Sequence, residues 1–336
     1  MPYYRGTFLF LDLARFLKRE VTVQSSSPFS SRWQSLFRMT ETKRRALYGY
    51  LFILPTVVFF LVFIAFPFFR AIGISMTEWA GYDQPRFIGL KNFINMMNDR
   101  IFWIALKNTF FFMVATTILQ TIIPLLVAVL LNAGWRGDVA YRTILFLPNI
   151  ISLVVTGLLW RMIYDGNFGI LNSALTTLGL TALKRQWLAD PSTVMPAIIV
   201  VSLWASLGFY MVIFFAGLQS IPPELYEVAS IDGANSWQKL LHITVPMLWP
   251  VTTVVMVINI IGGIKVFDVV YVMTTGGPNH ASEVLGTYLY VTAFGATGGG
   301  SPSMGYASAV GVVILILSMI GTAIQLRLTG RRTDVY

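Results

Sequence analysis

Charged side chains are rare inside the long apolar runs of this chain, so two that share one run stand out. Lys265 and Asp268 lie three residues apart between Met247 and Met273, shortly after Asn259 and the pair Gly262 and Gly263, which permits a bend. An ionised group at membrane depth faces an opposite charge or a water-filled cavity. Two readings stay open: an ion pair along one helix near the outer end of the run, or a polar cavity around Asn259, Lys265 and Asp268, with Trp204 and Gln120 as contacts from other runs.

Composition excludes most other chemistry. The 336 residues contain no cysteine and two histidines, so a disulfide framework, a thiolate nucleophile and a cysteine-built metal site are all unavailable, and no metal is expected. His242 reads as part of a polar helix surface, with proton sensing as the alternative. The acids are scattered among loops, whereas catalysis asks for clustered acids and bases. No G-x-x-x-x-G-K-[ST] run occurs, so the chain lacks the usual phosphate cradle and is expected to bind no cofactor itself.

The elements that must position these residues follow from hydropathy. Hydrophobic residues make up 56% of the chain and charged residues 12%, a balance that a water-soluble domain cannot cover with polar surface. A helix crossing a hydrocarbon core of roughly 30 Å needs about 20 apolar residues. The runs that meet this are Leu47 to Phe69, Asn108 to Leu131, Thr143 to Trp160, Met195 to Leu218, Met247 to Met273 and Tyr306 to Leu326. The expected fold class is therefore all-α: a polytopic membrane protein with six transmembrane helices. Lysine and arginine number fifteen on the side holding both termini and eight on the other, which places both termini in the cytoplasm. Trp79, Trp103, Trp160 and Trp187 then fall near outer ends of spans, and Trp135 and Trp249 near inner ends. The net charge of +9 sits largely in the tails and suits a membrane surface better than nucleic acid. Residues 7–20, with Asp12, Arg15 and Arg19 on one face, read either as an interfacial helix or as a poorly ordered tail. Serine-rich residues 23–36 read as a connector.

Between the fourth and fifth runs lies a polar island, "PPELYEVASIDGANSWQKLLHITVP", Pro222 to Pro246, which faces the cytoplasm in this topology. Pro222 and Pro223 suit a first helical turn, and Glu224 complements the positive end of the helix dipole. Leu225, Val228 and Ala229 share one face until Gly233 lets the backbone turn. Asn235 and Gln238 have capping-box spacing and start a second helix, which Pro246 is expected to bend or break before the fifth run. Two short helices at an angle, with an apolar face, make a docking element; lying flat on the membrane is the other use of such helices.

Glu227, Val228, Ala229, Ile231, Asp232, Gly233 and Ala234, followed by Ile243 and Pro246, resemble the "EAA" loop in permease subunits of binding-protein-dependent ABC importers, in the form seen in the carbohydrate-uptake branch. Val228 departs from the usual second alanine, and Leu240 stands where phenylalanine is common. "FIGLKNF", "LKNTFFF", "YRTILFLPNIISLVVTGLLWRMIYDGNFGILN" and "FDVVYVMTTGGPNHASEVLGTYLYVTAF" are also similar to that branch, so the likeness runs from about Leu47 to Leu326. It implies a type I ABC importer permease fold in a bacterial or archaeal cytoplasmic membrane. It also implies a second permease subunit, two ATPase subunits that carry ATP and Mg, and an extracytoplasmic solute-binding protein. The 222–246 loop becomes the coupling element, with Glu227, Ala229, Asp232, Gly233 and Ala234 at the ATPase. Around it the expected organisation is a tail (1–42), a first helix with its external loop (43–106), the importer transmembrane domain (107–328) and a second tail (329–336). Gly276, Gly277 and Pro278 form a turn whose family counterpart lies at the outer surface. Sugars meet aromatic faces and planar hydrogen-bonding groups, which is the case for Asn259, Lys265, Asp268, Trp204 and Gln120; the same residue types also serve plain helix packing. An ion-coupled secondary transporter is the alternative. It needs several intramembrane carboxylates or matched broken helices, yet only Asp268 lies clearly within a run and no interruption is evident in the first half.

Overall fold

The computed structural model describes residues 41–132, 137–295 and 301–330. The expected helix at 7–20, the connector at 23–36, Trp135, Arg136 and residues 331–336 lie outside them. The chain divides into two compact units, Met1–Pro67 and Phe68–Tyr336.

In the first unit, α1 (Glu41–Phe60) passes into a π turn at Leu61–Ala65. Pro67 offers no N–H to the Phe63 carbonyl and its ring crowds that oxygen, so the helix widens just upstream. The helix α2 (Phe66–Ser75) follows. Within the second unit the order is β1 (Thr77–Glu78), β2 (Arg86–Phe87), α3 (Lys91–Met97), α4 (Arg100–Leu131), α5 (Asp138–Ile150), α6 (Leu153–Ile163), α7 (Ile170–Thr177) and α8 (Val194–Leu218). Then come α9 (Pro223–Ile231), α10 (Ser236–Lys239), a π turn (Leu240–Thr244), α11 (Val245–Met247), α12 (Trp249–Ile264), α13 (Asp268–Thr274), α14 (Leu285–Phe294) and α15 (Met304–Gly330). The all-α expectation holds apart from β1 and β2, an antiparallel pair in the register Thr77 to Phe87 and Glu78 to Arg86.

Four stretches are long and apolar enough to cross a membrane by themselves: Arg45–Ser75, Arg100–Leu131, Val194–Leu218 and Met304–Arg327. The other two expected spans are bent pairs. Helices α5 and α6 meet at 99°, and Ser236–Met247 meets α12 at 70°. The third span is thus not the continuous Thr143 to Trp160 helix of the sequence reading, and an interruption does exist in the first half. Ile151 and Ser152 take extended backbone angles there, ψ 133° and 138°. They follow Pro148, which lacks an N–H, and Ile151 lines a cavity where irregular backbone can be solvated. The fifth span departs in two ways. Its bend falls at Leu248 instead of before Pro246, because the π turn absorbs the missing proline N–H. Its helix also stops at Ile264, so Lys265 and Asp268 lie on either side of a break and not along one helix.

The packed interior centres on α8, a span of high apolar content that packs against α4, α5 and α12. Its Met211 and Phe214 are fully buried with Leu248 and Val255, and Ala128 and Leu131 of α4 complete that cluster. At the other end of α4, Asp99 caps the helix by accepting from the Ile101 and Phe102 N–H groups. Its carboxylate also accepts from the hydroxyls of Tyr288 on α14 and Tyr306 on α15. Burial pushes the Asp99 carboxyl up, but these four donors outweigh it and hold it below the usual carboxylate value.

Candidate functional site

The bend of the third span and the break between α12 and α13 open onto one cavity of about 530 Å³. Helix α4 supplies Thr116 and Gln120, α8 supplies Ser202 and Ser206, and α12 supplies Asn259. Lys265 and Asp268 line it from the break between α12 and α13, and Asn149 from the end of α5. Of the residues singled out in the sequence, Gln120, Asn259, Lys265 and Asp268 are brought together here. No ion pair joins Lys265 to Asp268 among the described residues, so the paired reading gives way to two exposed charges on a cavity wall.

Trp204 does not join them. The cavity face of α8 is Ser202, Ala205, Ser206 and Phe209, the i, i+3, i+4, i+7 stripe of one helix side. Two residues from Ser202 along a helix is about 200° of rotation, and Trp204 accordingly packs edge-on to Trp160 with ring centroids 5.6 Å apart. The glycines also act differently from expectation. A Cβ on Gly263 would lie 2.7 Å from the Met113 Cα, so this glycine permits close packing of α12 on α4, and the break comes two residues later.

The state of the polar groups says what the cavity can do. Ser202 and Ser206 hydroxyls donate to carbonyls one turn back, at 3.0 and 2.8 Å. Asn259, 2% exposed, donates to the Val255 carbonyl at 3.1 Å, but no protein donor among the described residues reaches its Oδ1. Gln120, 7% exposed, makes no protein hydrogen bond among the described residues. Buried amides are normally satisfied, so these two are left for water or a ligand rich in hydroxyls. Asn149, Thr116, Ser202 and Ser206 were missed in the sequence, although paired i, i+4 polar residues in an apolar span were a usable signal.

The polar island forms as its local signals dictate. Pro222 precedes α9, Asn235 Oδ1 accepts from the Gln238 N–H at 2.9 Å, and Gln238 Oε1 accepts from the Asn235 N–H at 2.8 Å. Helix α9 ends in a Schellman motif: the Ala234 N–H reaches the Ala229 carbonyl at 2.8 Å and the Gly233 N–H reaches Ser230 at 3.2 Å, with Gly233 at φ +78°. Ala229, Asp232, Gly233 and Ala234 line one recess between the two helices; Glu227 is exposed outside it. Val228, Ile231, Trp237 and Leu241 present apolar surface, and Ile231 is 85% exposed. Beyond the fifth span, Gly276 and Gly277 do form a turn, tied down where Asn108 of α4 donates to the carbonyls of His280, Ala281 and Glu283.

Straight and bent apolar spans, a cavity beside the break of the fifth span and an apolar-faced loop are the parts expected of a membrane-embedded transport component. Residues 120–334 match the family of the binding-protein-dependent transport system inner membrane component, and the chain belongs to that family. It is 38% identical over 83% of its length to 94% of the probable ABC transporter permease protein YurN of Bacillus subtilis. It is 35% identical over 91% of its length to 94% of the arabinooligosaccharides transport system permease protein AraP of the same organism. A bacterial alginate ABC transporter, solved in complex with an alginate pentasaccharide-bound periplasmic protein, contains a chain similar at TM-score 0.72 and 27% identity, covering 87% of this chain and 98% of that one.

Proposed function

We propose that this permease forms half of the translocation pathway of an ATP-driven importer for a sugar or related polyhydroxylated solute. The observation that carries the reading is the cavity, where, among the described residues, the Gln120 amide and the Asn259 Oδ1 have no protein partner beside Lys265 and Asp268. Hydroxyl-rich solutes supply both donors and acceptors to such groups. The names of the relatives, an arabinooligosaccharides permease among them, support the same class of solute.

The chain sits in the cytoplasmic membrane of a bacterium or archaeon, with both termini and the 222–246 loop on the cytoplasmic side. A second permease subunit completes the pathway, and an extracytoplasmic binding protein delivers solute. Two ATPase subunits hold ATP and Mg, since this chain has no phosphate loop of its own. They receive the apolar face of Val228, Ile231 and Trp237, with Ala229, Asp232, Gly233 and Ala234 shaping the joint and Glu227 at its edge. Closure of the ATPases displaces α9, and the rod α12 carries that displacement to the cavity, favouring one accessible side over the other.

Co-expression with candidate ATPase subunits tests this. The ATPases should co-purify in detergent, and a single cysteine placed at Ile231 in this cysteine-free chain should be labelled from the cytoplasmic side and protected by the ATPase. Ion-driven solute uptake by the chain alone, or an Ile231 position reachable only from lipid, would overturn the reading.

A further inference from the structure

The coupling loop is stitched to the root of the fifth span by a closed ring of hydrogen bonds. Thr244, 4% exposed at the end of the π turn, donates its hydroxyl to the Lys239 carbonyl at 3.4 Å. With that proton committed, its Oγ1 accepts from the Tyr226 hydroxyl of α9 at 3.0 Å. Lys239 Nζ donates to Ser230 Oγ at 2.6 Å, and Ser230 in turn donates to the Tyr226 carbonyl at 2.6 Å. Tyr226, Thr244, Lys239 and Ser230 thus close a circuit between the helix that would meet the ATPase and the turn that begins the fifth span.

The circuit bridges a place where the covalent chain is weak as a lever. Gly233 lies between α9 and α10, and a glycine turn transmits little torque because its backbone is conformationally permissive. The Tyr226 ring and Ile243 pack against the buried cluster of Leu131, Leu218 and Leu248, so the clasp is seated on the core beside the 70° bend. From that bend α12 runs to Asn259 and the cavity. We propose that the hydroxyl link from Tyr226 to Thr244 is a positioning contact that makes α9 and the root of the fifth span move as one body, so that work done on the loop reaches the cavity. The inference rests on the ATPase-docking reading and adds to it the residues that transmit the movement.

The test compares solute moved per ATP hydrolysed for the full importer in liposomes with its binding protein. Tyr226→Phe and Thr244→Val keep ring and shape while removing the link. Both complexes should retain bound ATPase and continue hydrolysis, while solute moved per ATP falls about five- to tenfold, the scale of one lost buried hydrogen bond. Thr244→Ser restores the hydroxyl and should restore the ratio. Wild-type ratios in Tyr226→Phe and Thr244→Val with ATPase bound would overturn the clasp alone, as would a Thr244→Ser variant as uncoupled as Thr244→Val. Absence of ATPase from the wild-type preparation would overturn the docking reading and the clasp with it.

Discussion

The polar island and the cavity are both interruptions of apolar sequence, yet they treat their polar groups in opposite ways. In the island the groups satisfy one another: Asn235 and Gln238 cap reciprocally, Ala234 and Gly233 close the end of α9, and Tyr226, Thr244, Lys239 and Ser230 form a ring. In the cavity, among the described residues, Gln120 and the Asn259 Oδ1 have no protein partner, and Lys265 and Asp268 do not pair. Internal satisfaction stiffens a segment, whereas an unsatisfied buried amide is a standing demand for a ligand or water. Under the proposed function, the contrast fits force transmission in one region and solute contact in the other.

The comparison breaks most sharply at Gly233. Open space surrounds its missing Cβ, so a substitution there acts through φ +78° and not through crowding. A side chain in the left-handed region costs roughly 1–2 kcal/mol, and a β-branched one strains the turn further. Gly233→Val should therefore weaken ATPase binding by about tenfold or more and abolish most transport, with membrane insertion intact. Gly233→Asn, whose side chain tolerates that region, should retain most activity. Pull-down of the ATPase with each variant measures the difference, and equal binding by both would remove the turn from the coupling argument.

Gln120→Leu and Asn259→Leu sharpen the other side. Each replaces a buried amide with an apolar group of similar volume. Transport should fall about tenfold, the scale of one or two lost ligand hydrogen bonds, while ATPase binding stays at the wild-type level. The Gln120→Leu variant should also be at least as heat-stable as wild type, because among the described residues Gln120 has no protein partner to orphan. A loss of ATPase binding in these variants would collapse the division of labour between the two regions.

How much of this was legible in the sequence follows the same division. The island was read nearly intact because its signals are local: a proline pair, a capping box and a glycine at the turn each act within a few residues. The cavity was read in part. Asn259, Lys265 and Asp268 were visible as polar residues in an apolar run, but the 99° bend after Pro148 was not, since a proline inside a helix can kink it or be absorbed. Pro246 was absorbed by a π turn and the chain bent at Leu248, whose side chain is 1% exposed. Trp204 was misplaced because the phase of α8 is set by which stripe meets α4 and α5, a tertiary fact.

The smallest effect concerns a third polar cluster, satisfied like the island but at the far end of α4. Asp99 holds α4, α14 and α15 together through Tyr288 and Tyr306, and its carboxyl lies below the usual value of 3.8. A carboxyl depressed on folding stabilises the native state above its unfolded value, and that contribution is lost as pH falls through the folded value. Acid should therefore loosen this corner only below about pH 4, and activity between pH 5 and 8 should be flat with respect to this group. Asp99→Asn removes the acid-dependent part, so thermal unfolding of the purified complex at neutral pH should shift slightly downward and its slope with pH below 4 should diminish. An unchanged acid slope would mean that the two tyrosine hydroxyls do not hold the carboxylate in the assembled protein. In that case satisfaction of polar groups would cease to separate the structural clusters from the cavity.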